Sequence, residues 1–299
     1  MKKILLFLLC GLVFCGCYDN ETIHANYIEY GRNYDTTSTD QVVKIISQYY
    51  YKYGKILIVD PDTADYMFNF QTKNKVHIVE PRQDEGHLLK GLQFLNDLFL
   101  NGYNDRVKKE YFPYAIILAD TIEDTSNNKF VDMYTASHYI AFLVNDEILN
   151  KSEEEKVKLS MAWNNTFLSY CIDKIGWTVP EEFYLYPTDQ GFYDTWFYQV
   201  DGELTNDEIW EMGYPSGKAT YTYKEIDGVY VRVDGYAFSS SKSGYREKFL
   251  EFLFTTPQET IDKAVADHEK LRKPHDVLDQ ALKNDFGIDY RTMIYKAKN

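Results

Sequence analysis

Metal-assisted or acid–base chemistry in this chain would have to be carried by six histidines, four cysteines and the carboxylates. Two histidines four apart on a helix, with a glutamate beside the first, can grip zinc and polarise a water. No His-Glu-x-x-His run occurs anywhere in the sequence. His268-Glu269 begins like one, but Arg272 stands where the second histidine belongs. His268 and His275 could share a helical face, yet Pro274 lies between them and is expected to interrupt the helix, so scattered surface histidines are the simpler account. Asp60-Pro61-Asp62-Thr63-Ala64-Asp65 starts like a calcium loop. It has Asp65 where the sharp turn needs glycine and Gln71 where the closing glutamate belongs, so a turn is expected. No nucleophile sits in a recognisable elbow, and Cys171 falls on the apolar face of a helix as an inert core thiol.

The first residues point to a compartment. Met1-Lys2-Lys3 is basic, Ile4 to Leu9 and Gly11 to Phe14 are apolar, and Gly16 precedes Cys17. The run is shorter than the roughly 18–20 apolar residues that span a bilayer, so it reads as a signal peptide over residues 1–16. A small residue just before a cysteine marks lipoprotein processing, with Cys17 acylated as the first mature residue. Cys15 competes less well because bulky Phe14 precedes it. The acidic start Tyr18-Asp19-Asn20-Glu21 resembles tags that place lipoproteins on the outer surface of the outer membrane. Cys10 and Cys15 would leave with the signal and Cys17 would carry lipid, so Cys171 alone remains and no intramolecular disulfide is available.

The whole chain of 299 residues carries a net charge of −14, and losing Lys2 and Lys3 makes the mature form more negative. That balance argues against nucleic acid and against electrostatic attachment to anionic lipid. Aromatic residues reach 16%, with 27 tyrosines and 18 phenylalanines. They could form a sugar- or peptide-binding surface. The simpler reading is tyrosine in half-buried positions with its hydroxyl at the edge.

Residues 17–36 read as a tether, and residues 37–299 as a single domain of α+β class. Its first half is a mixed α/β layer. Helices are expected from about Thr39 to Tyr53, stopped by Gly54, and from about Glu85 to Leu100, with Leu88, Leu92, Leu95 and Phe99 at helical spacing. On the first, Val42, Val43, Ile45, Ile46, Tyr49 and Tyr50 form the side expected to be buried. Strands are expected at Lys55–Val59, Tyr66–Phe70, Val76–Val79, Tyr114–Leu118 and Tyr139–Val144. The second half is mainly helical. Ser152-Glu153-Glu154-Glu155 is a capping box opening a long helix to about Ile175, with Val157, Met161, Leu168, Cys171, Ile172 and Ile175 inward. Thr220 to Val233 reads as a hairpin turning at Asp227-Gly228. Helices follow from Tyr245 to Phe254, from a second capping box at Thr256-Pro257-Gln258-Glu259 to about Leu271, and from Pro274 to about Asn284.

An ordered series of short matches carries a family resemblance: Pro180-Glu181-Glu182-Phe183, Tyr193 and Trp196, Ile209 to Gly213-Tyr214, Gly235-Tyr236-Ala237, Glu247-Lys248-Phe249-Leu250-Glu251, and Gly287-Ile288-Asp289-Tyr290. Their order resembles the zinc-binding metallopeptidase lipoproteins, also described as substrate import-associated zinc metallohydrolase lipoproteins. The resemblance implies a gluzincin-like scaffold, with the mixed α/β N-terminal half packed on the helical C-terminal half. It also implies a place on the outer membrane beside a TonB-dependent transporter and its surface binding protein. The family's His-Glu-Phe-x-His aligns with Asn165-Thr166-Phe167-Leu168-Ser169, so Asn165 and Ser169 stand at the histidine positions and Thr166 at the catalytic glutamate. The later glutamate pair aligns with Glu247 and Glu251.

An amide and a hydroxyl are poor neutral donors to zinc, and a threonine cannot act as a general base near neutral pH. The expectation is therefore a degenerate member without zinc or intact catalytic residues. It would bind a peptide or glycan as an accessory protein in nutrient uptake. The rival reading is a working metal-dependent hydrolase with ligands recruited from elsewhere in the fold. The hairpin at 220–233 departs from the family pattern and could cover the old cleft or present a partner surface.

Overall fold

The computed structural model describes residues 34–67, 75–185, 197–239, 241–287 and 289–296. The signal segment, Cys17, most of the tether, Tyr193, Trp196, Ile288 and most of the strand expected over Tyr66–Phe70 lie outside the described residues.

Helix α1 spans Gln41–Tyr53: Asp40 caps it by accepting from the Val42 and Val43 N–H groups, and Gly54 closes it at φ 68°. Its Val42 is buried as expected, but Ile45 is exposed. Strand β1 (Ile56–Ile58) follows. The turn after it carries Asp62, which caps the short helix α2 (Thr63–Tyr66) in a box with Asp65. The strand expected at Tyr66 is thus helix end there, because two aspartates satisfy the first free N–H groups of a helical turn. Strand β2 (Val76–Val79), helix α3 (Glu85–Leu98) and a 3₁₀ turn at Leu100–Gly102 come next. Then follow α4 (Asp105–Glu110), β3 (Ala115–Ala119), β4 (Thr121–Asp124), β5 (Lys129–Phe130), β6 (Met133–Thr135) and β7 (Tyr139–Leu143).

The main sheet has order β1-β3-β7-β6, with β1, β3 and β7 parallel and β6 antiparallel at the edge. Every residue of β3 is buried, as a parallel strand covered on both faces requires. A smaller antiparallel sheet, β2-β4-β5, was not foreseen beyond β2. Its added strands are short, and β5 is exposed throughout, so hydrophobic period gives little sign of them.

Helix α5 (Asp146–Leu149) leads to the long α6 (Glu153–Tyr170), opened by the Ser152–Glu155 capping box and ending in one π-helical turn, Cys171–Ile175. Ile175 is exposed rather than inward, because the wider turn rotates it off the apolar stripe. Strand β8 (Phe197–Asp201), helix α7 (Asn206–Glu211), and strands β9 (Lys218–Ile226) and β10 (Val229–Ser239) follow. They form a third sheet of order β8-β10-β9, so the C-terminal half is less purely helical than its sequence suggests. Asp227 (φ 51°) and Gly228 (φ 77°) make the hairpin turn with both centres left-handed, as a type I′ turn needs.

The chain closes with α8 (Lys242–Thr255), α9 (Gln258–Asp267), α10 (Glu269–Phe286) and α11 (Tyr290–Met293). Two expectations fail here. Pro257 is the N-cap of α9 without a side-chain cap bond, so Thr256 and Glu259 form no capping box. The chain breaks at His268, and α10 runs through Pro274. Pro274 is buried among the helix's core-facing residues, so packing tolerates the missing N–H.

The two halves share one buried apolar cluster running from Val42 to Tyr295. At its centre Phe167 of α6 meets Phe112 at 4.9 Å and Tyr103 at 5.0 Å, and Phe99 meets Phe142 of β7 at 4.9 Å. Tyrosine serves this core in the way its polar tip allows: the Tyr245 hydroxyl donates to Gly213 O at 2.9 Å, and Tyr103 donates to Asn164 at 2.6 Å.

Candidate functional site

Helix α6 carries two neighbouring asparagines, and about 100° of helical rotation sends them to opposite duties. Asn164 is fully buried. Its Oδ1 accepts from Tyr103, and its Nδ2 donates to Ser160 O at 2.8 Å and to Met293 O at 3.1 Å. The Ser160 hydroxyl donates to Leu98 O at 2.6 Å and accepts from the Tyr295 N–H. This network ties α6, α3 and the C-terminal segment together. Sequence reading passed over it because a buried asparagine shows no period of its own.

Asn165 faces the other way. With Ser169 one turn later, it lines a cleft of about 400 Å³ whose opposite wall is α8, with Glu247, Leu250 and Glu251. Four of the five positions singled out by the family alignment are therefore brought together: Asn165, Ser169, Glu247 and Glu251. Thr166 is not among the lining residues, and its hydroxyl donates back to Ala162 O at 2.9 Å. That back-bond is the usual fate of a mid-helix threonine.

Charges in the cleft are mostly matched. Lys248 bonds to Glu251 at 2.6 Å across one turn of α8, both half-exposed. Arg246 lies 3.8 Å from Asp173, which the π-helical turn presents to the cleft. Two polar atoms there are closed off from solvent without a partner: Asn165 Oδ1 and Arg246 Nε. Arg246 and Asp173 escaped sequence reading. Arg246 adjoins the aligned Glu247, but Asp173 reaches the cleft only through a π-turn that leaves no mark in the sequence. Cys171, just beneath, is buried, and burial pushes its thiol well above the ordinary range, so it is no nucleophile.

The donors gathered on this face are an amide, a hydroxyl and two carboxylates, one of them tied to lysine. Zinc draws its affinity from imidazole, thiolate and carboxylate together, and this set does not fit it. Among the described residues, no group of three or more His, Cys, Asp or Glu side chains is arranged to hold a metal ion. The remaining histidines have other surroundings. His268 sits 3.2 Å from Glu211 and 3.5 Å from Asp207, while the Nε2 of buried His275 meets the Tyr290 hydroxyl at 3.2 Å. Asp60 to Asp65 forms the cap of α2, as the turn reading requires.

Among the described residues no helix is long and apolar enough to cross a membrane. No family model and no curated protein matches the chain. Its structure is similar to the crystal structure of a protein from Bacteroides caccae ATCC 43185 provisionally assigned as a zinc-binding metallo-peptidase, with 9% identity and a TM-score of 0.46 over 86% of this chain and 91% of that one. At that distance the likeness carries no argument about chemistry.

Proposed function

We propose that this chain is a lipoprotein anchored through Cys17 at the outer face of the outer membrane, where it acts as an accessory binding protein in nutrient uptake with a TonB-dependent transporter. In this reading the cleft between α6 and α8 holds a peptide or glycan and performs no hydrolysis. One observation supports it above others: Asn165 and Ser169 stand against Glu247 and Glu251, giving hydrogen-bonding groups where a zinc peptidase needs imidazoles. The hydroxyl of Ser169 and the carboxylates of Glu247 and Glu251 on the same lining suit ligand N–H and O–H groups.

The β9–β10 ribbon suits the role of a partner-facing surface. Tyr221, Tyr223 and Tyr230 share one face by register and Ile226, Val229 and Val231 the other, and all six are exposed. Exposed apolar residues concentrated in this way mark association surfaces more often than chance decoration.

Metal analysis of the purified mature protein, paired with a peptide-cleavage assay, tests the central claim. The expected result is less than a tenth of a zinc per chain (about, on ligand chemistry) and no chelator-sensitive cleavage. One zinc per chain, lost to chelator together with cleavage, would overturn it. Fatty-acid labelling of wild type but not of Cys17→Ala tests the anchor.

A further inference from the structure

A second cavity is larger than the α6–α8 cleft. It has about 850 Å³ and runs beside α3, between α1, α5 and the start of α6. It is remote from the cleft: Glu153 lines the cavity and Asn165 the cleft, and twelve residues of helix separate them by about 18 Å.

Two of its side chains hold polar atoms that the protein leaves without partners. The His87 side chain is 3% exposed and its Nε2 makes no hydrogen bond; the Tyr49 hydroxyl is likewise buried and unpaired. On its other side His87 presents Nδ1 to Asp146 at 3.6 Å, and Arg82 steadies that carboxylate at 3.3 Å. A neutral His87 with its proton on Nδ1, the nitrogen that faces Asp146, would leave Nε2 as an acceptor. Burial pushes the Tyr49 phenol far above its ordinary range, so it remains a hydroxyl that can donate. Leaving both unpaired is costly in a native fold, and a site that receives a ligand is one place where that cost is tolerated.

The rest of the lining narrows the ligand. The walls mix polar and apolar groups, with Ile45, Leu57, Leu89, Leu92 and Leu149 among an aliphatic set on one hand and charged side chains on the other. Three cations (Arg82, Lys90, Lys156) are balanced by three carboxylates (Asp97, Asp146, Glu153), despite the chain's overall charge of −14. A neutral ligand with aliphatic groups and both a donor and an acceptor meets these conditions. A peptide unit supplies an N–H and a C=O together, and its side chains can meet the aliphatic part of the lining.

We infer that this cavity is a second binding site, for an extended peptide with aliphatic side chains, in which a peptide N–H reaches His87 Nε2 and a peptide carbonyl accepts from the Tyr49 hydroxyl. Both atoms are closed off from solvent in the free structure, so each side chain has to rotate toward the cavity when the peptide binds. The inference stands apart from the α6–α8 cleft and does not depend on it.

Calorimetric titration of the full mature protein with a blocked tetrapeptide, acetyl-Leu-Ala-Leu-Ala amide, tests it. Binding is expected in wild type and in Asn165→Ala, with Tyr49→Phe and His87→Phe each weakening it by about fivefold to tenfold. Tyr49→Phe should keep or raise the thermal midpoint, because it removes only an unpaired buried hydroxyl, whereas His87→Phe also gives up the contact of Nδ1 with Asp146 and is read for binding alone. That separates a ligand contact from a structural one. Leu149→Arg, which puts charge into the cavity wall, should abolish binding. No binding by wild type at 1 mM (a roughly −4 kcal/mol threshold), binding indifferent to Tyr49→Phe and His87→Phe, loss in Asn165→Ala, or preference for maltotetraose over the peptide would each overturn the proposal.

Discussion

The two faces of α6 were built from the same kinds of residue and came out with opposite properties. Toward the core, Asn164 and Ser160 have their hydrogen bonds supplied by Tyr103, Leu98, Met293 and Tyr295. Toward the cleft, one residue further on, Asn165 keeps an unpaired oxygen beside carboxylates half committed to other partners. An asparagine that is saturated holds elements together. An asparagine left unsaturated at a cleft wall ties no elements together through that oxygen. Residue type alone does not distinguish them; the neighbours do.

The largest effect should come from returning imidazoles to the cleft face. Asn165→His with Ser169→His puts two nitrogens one helical turn apart, opposite Glu247 and Glu251. We expect zinc binding in the micromolar range or tighter, about 8 kcal/mol, against the absence of binding expected for wild type. Titration calorimetry would read it, and zinc should raise the melting temperature. Adding Thr166→Glu should leave the affinity unchanged, since Thr166 is off the cleft lining. Failure of the double variant to take zinc would mean that the two helices do not face each other closely enough.

The next effect sharpens the contrast between the asparagines themselves. Asn164→Leu should destabilise by roughly 3 kcal/mol, because it strands the Tyr103 hydroxyl and the Met293 carbonyl in the core. Asn165→Leu should change stability by no more than about 0.5 kcal/mol, because its oxygen has no partner to lose. Urea midpoints for both would break the comparison if they moved alike. Smaller again is the start of the helix. Ser152→Ala removes the capping box and should lower the melting temperature by about 2–4 °C. Bonds from the Ser152 hydroxyl and N–H hold the Glu155 carboxyl below its ordinary value of 4.5. That stabilisation is therefore full at neutral pH and fades as pH falls through the acid range below 4.5, so the gap between Ser152→Ala and wild type should narrow there to what the bond from the Glu155 N–H to the Ser152 hydroxyl contributes.

Local chemistry made several of these elements legible beforehand. Gly54, the Ser152–Glu155 box and the Asp227-Gly228 turn each specify their structure through atoms a few residues apart. What escaped depends on distant packing. β1 finds β3 across the intervening strand β2 and helices α2, α3 and α4, and α10 continues through Pro274 because its core-facing side is buried. The site divides in the same way. The one-turn spacings of Asn165 with Ser169 and of Glu247 with Glu251 can be read in the chain. Their meeting followed from a resemblance, and the Asp173–Arg246 pair beside them followed from nothing in the sequence, since a π-turn places it.

The finest test concerns how far Glu251 is already committed. Its ion pair with Lys248 is short but half-exposed on both sides, so Lys248→Ala alone should shift stability by less than about 0.5 kcal/mol. In the Asn165→His, Ser169→His background the same change frees a carboxylate that zinc would otherwise share with lysine. We expect zinc affinity to rise by about twofold to fivefold, the scale of one exposed ion pair. If affinity does not move, Glu247 is the carboxylate that completes the set. Glu247→Gln should then abolish the gained zinc binding while Glu251→Gln spares it.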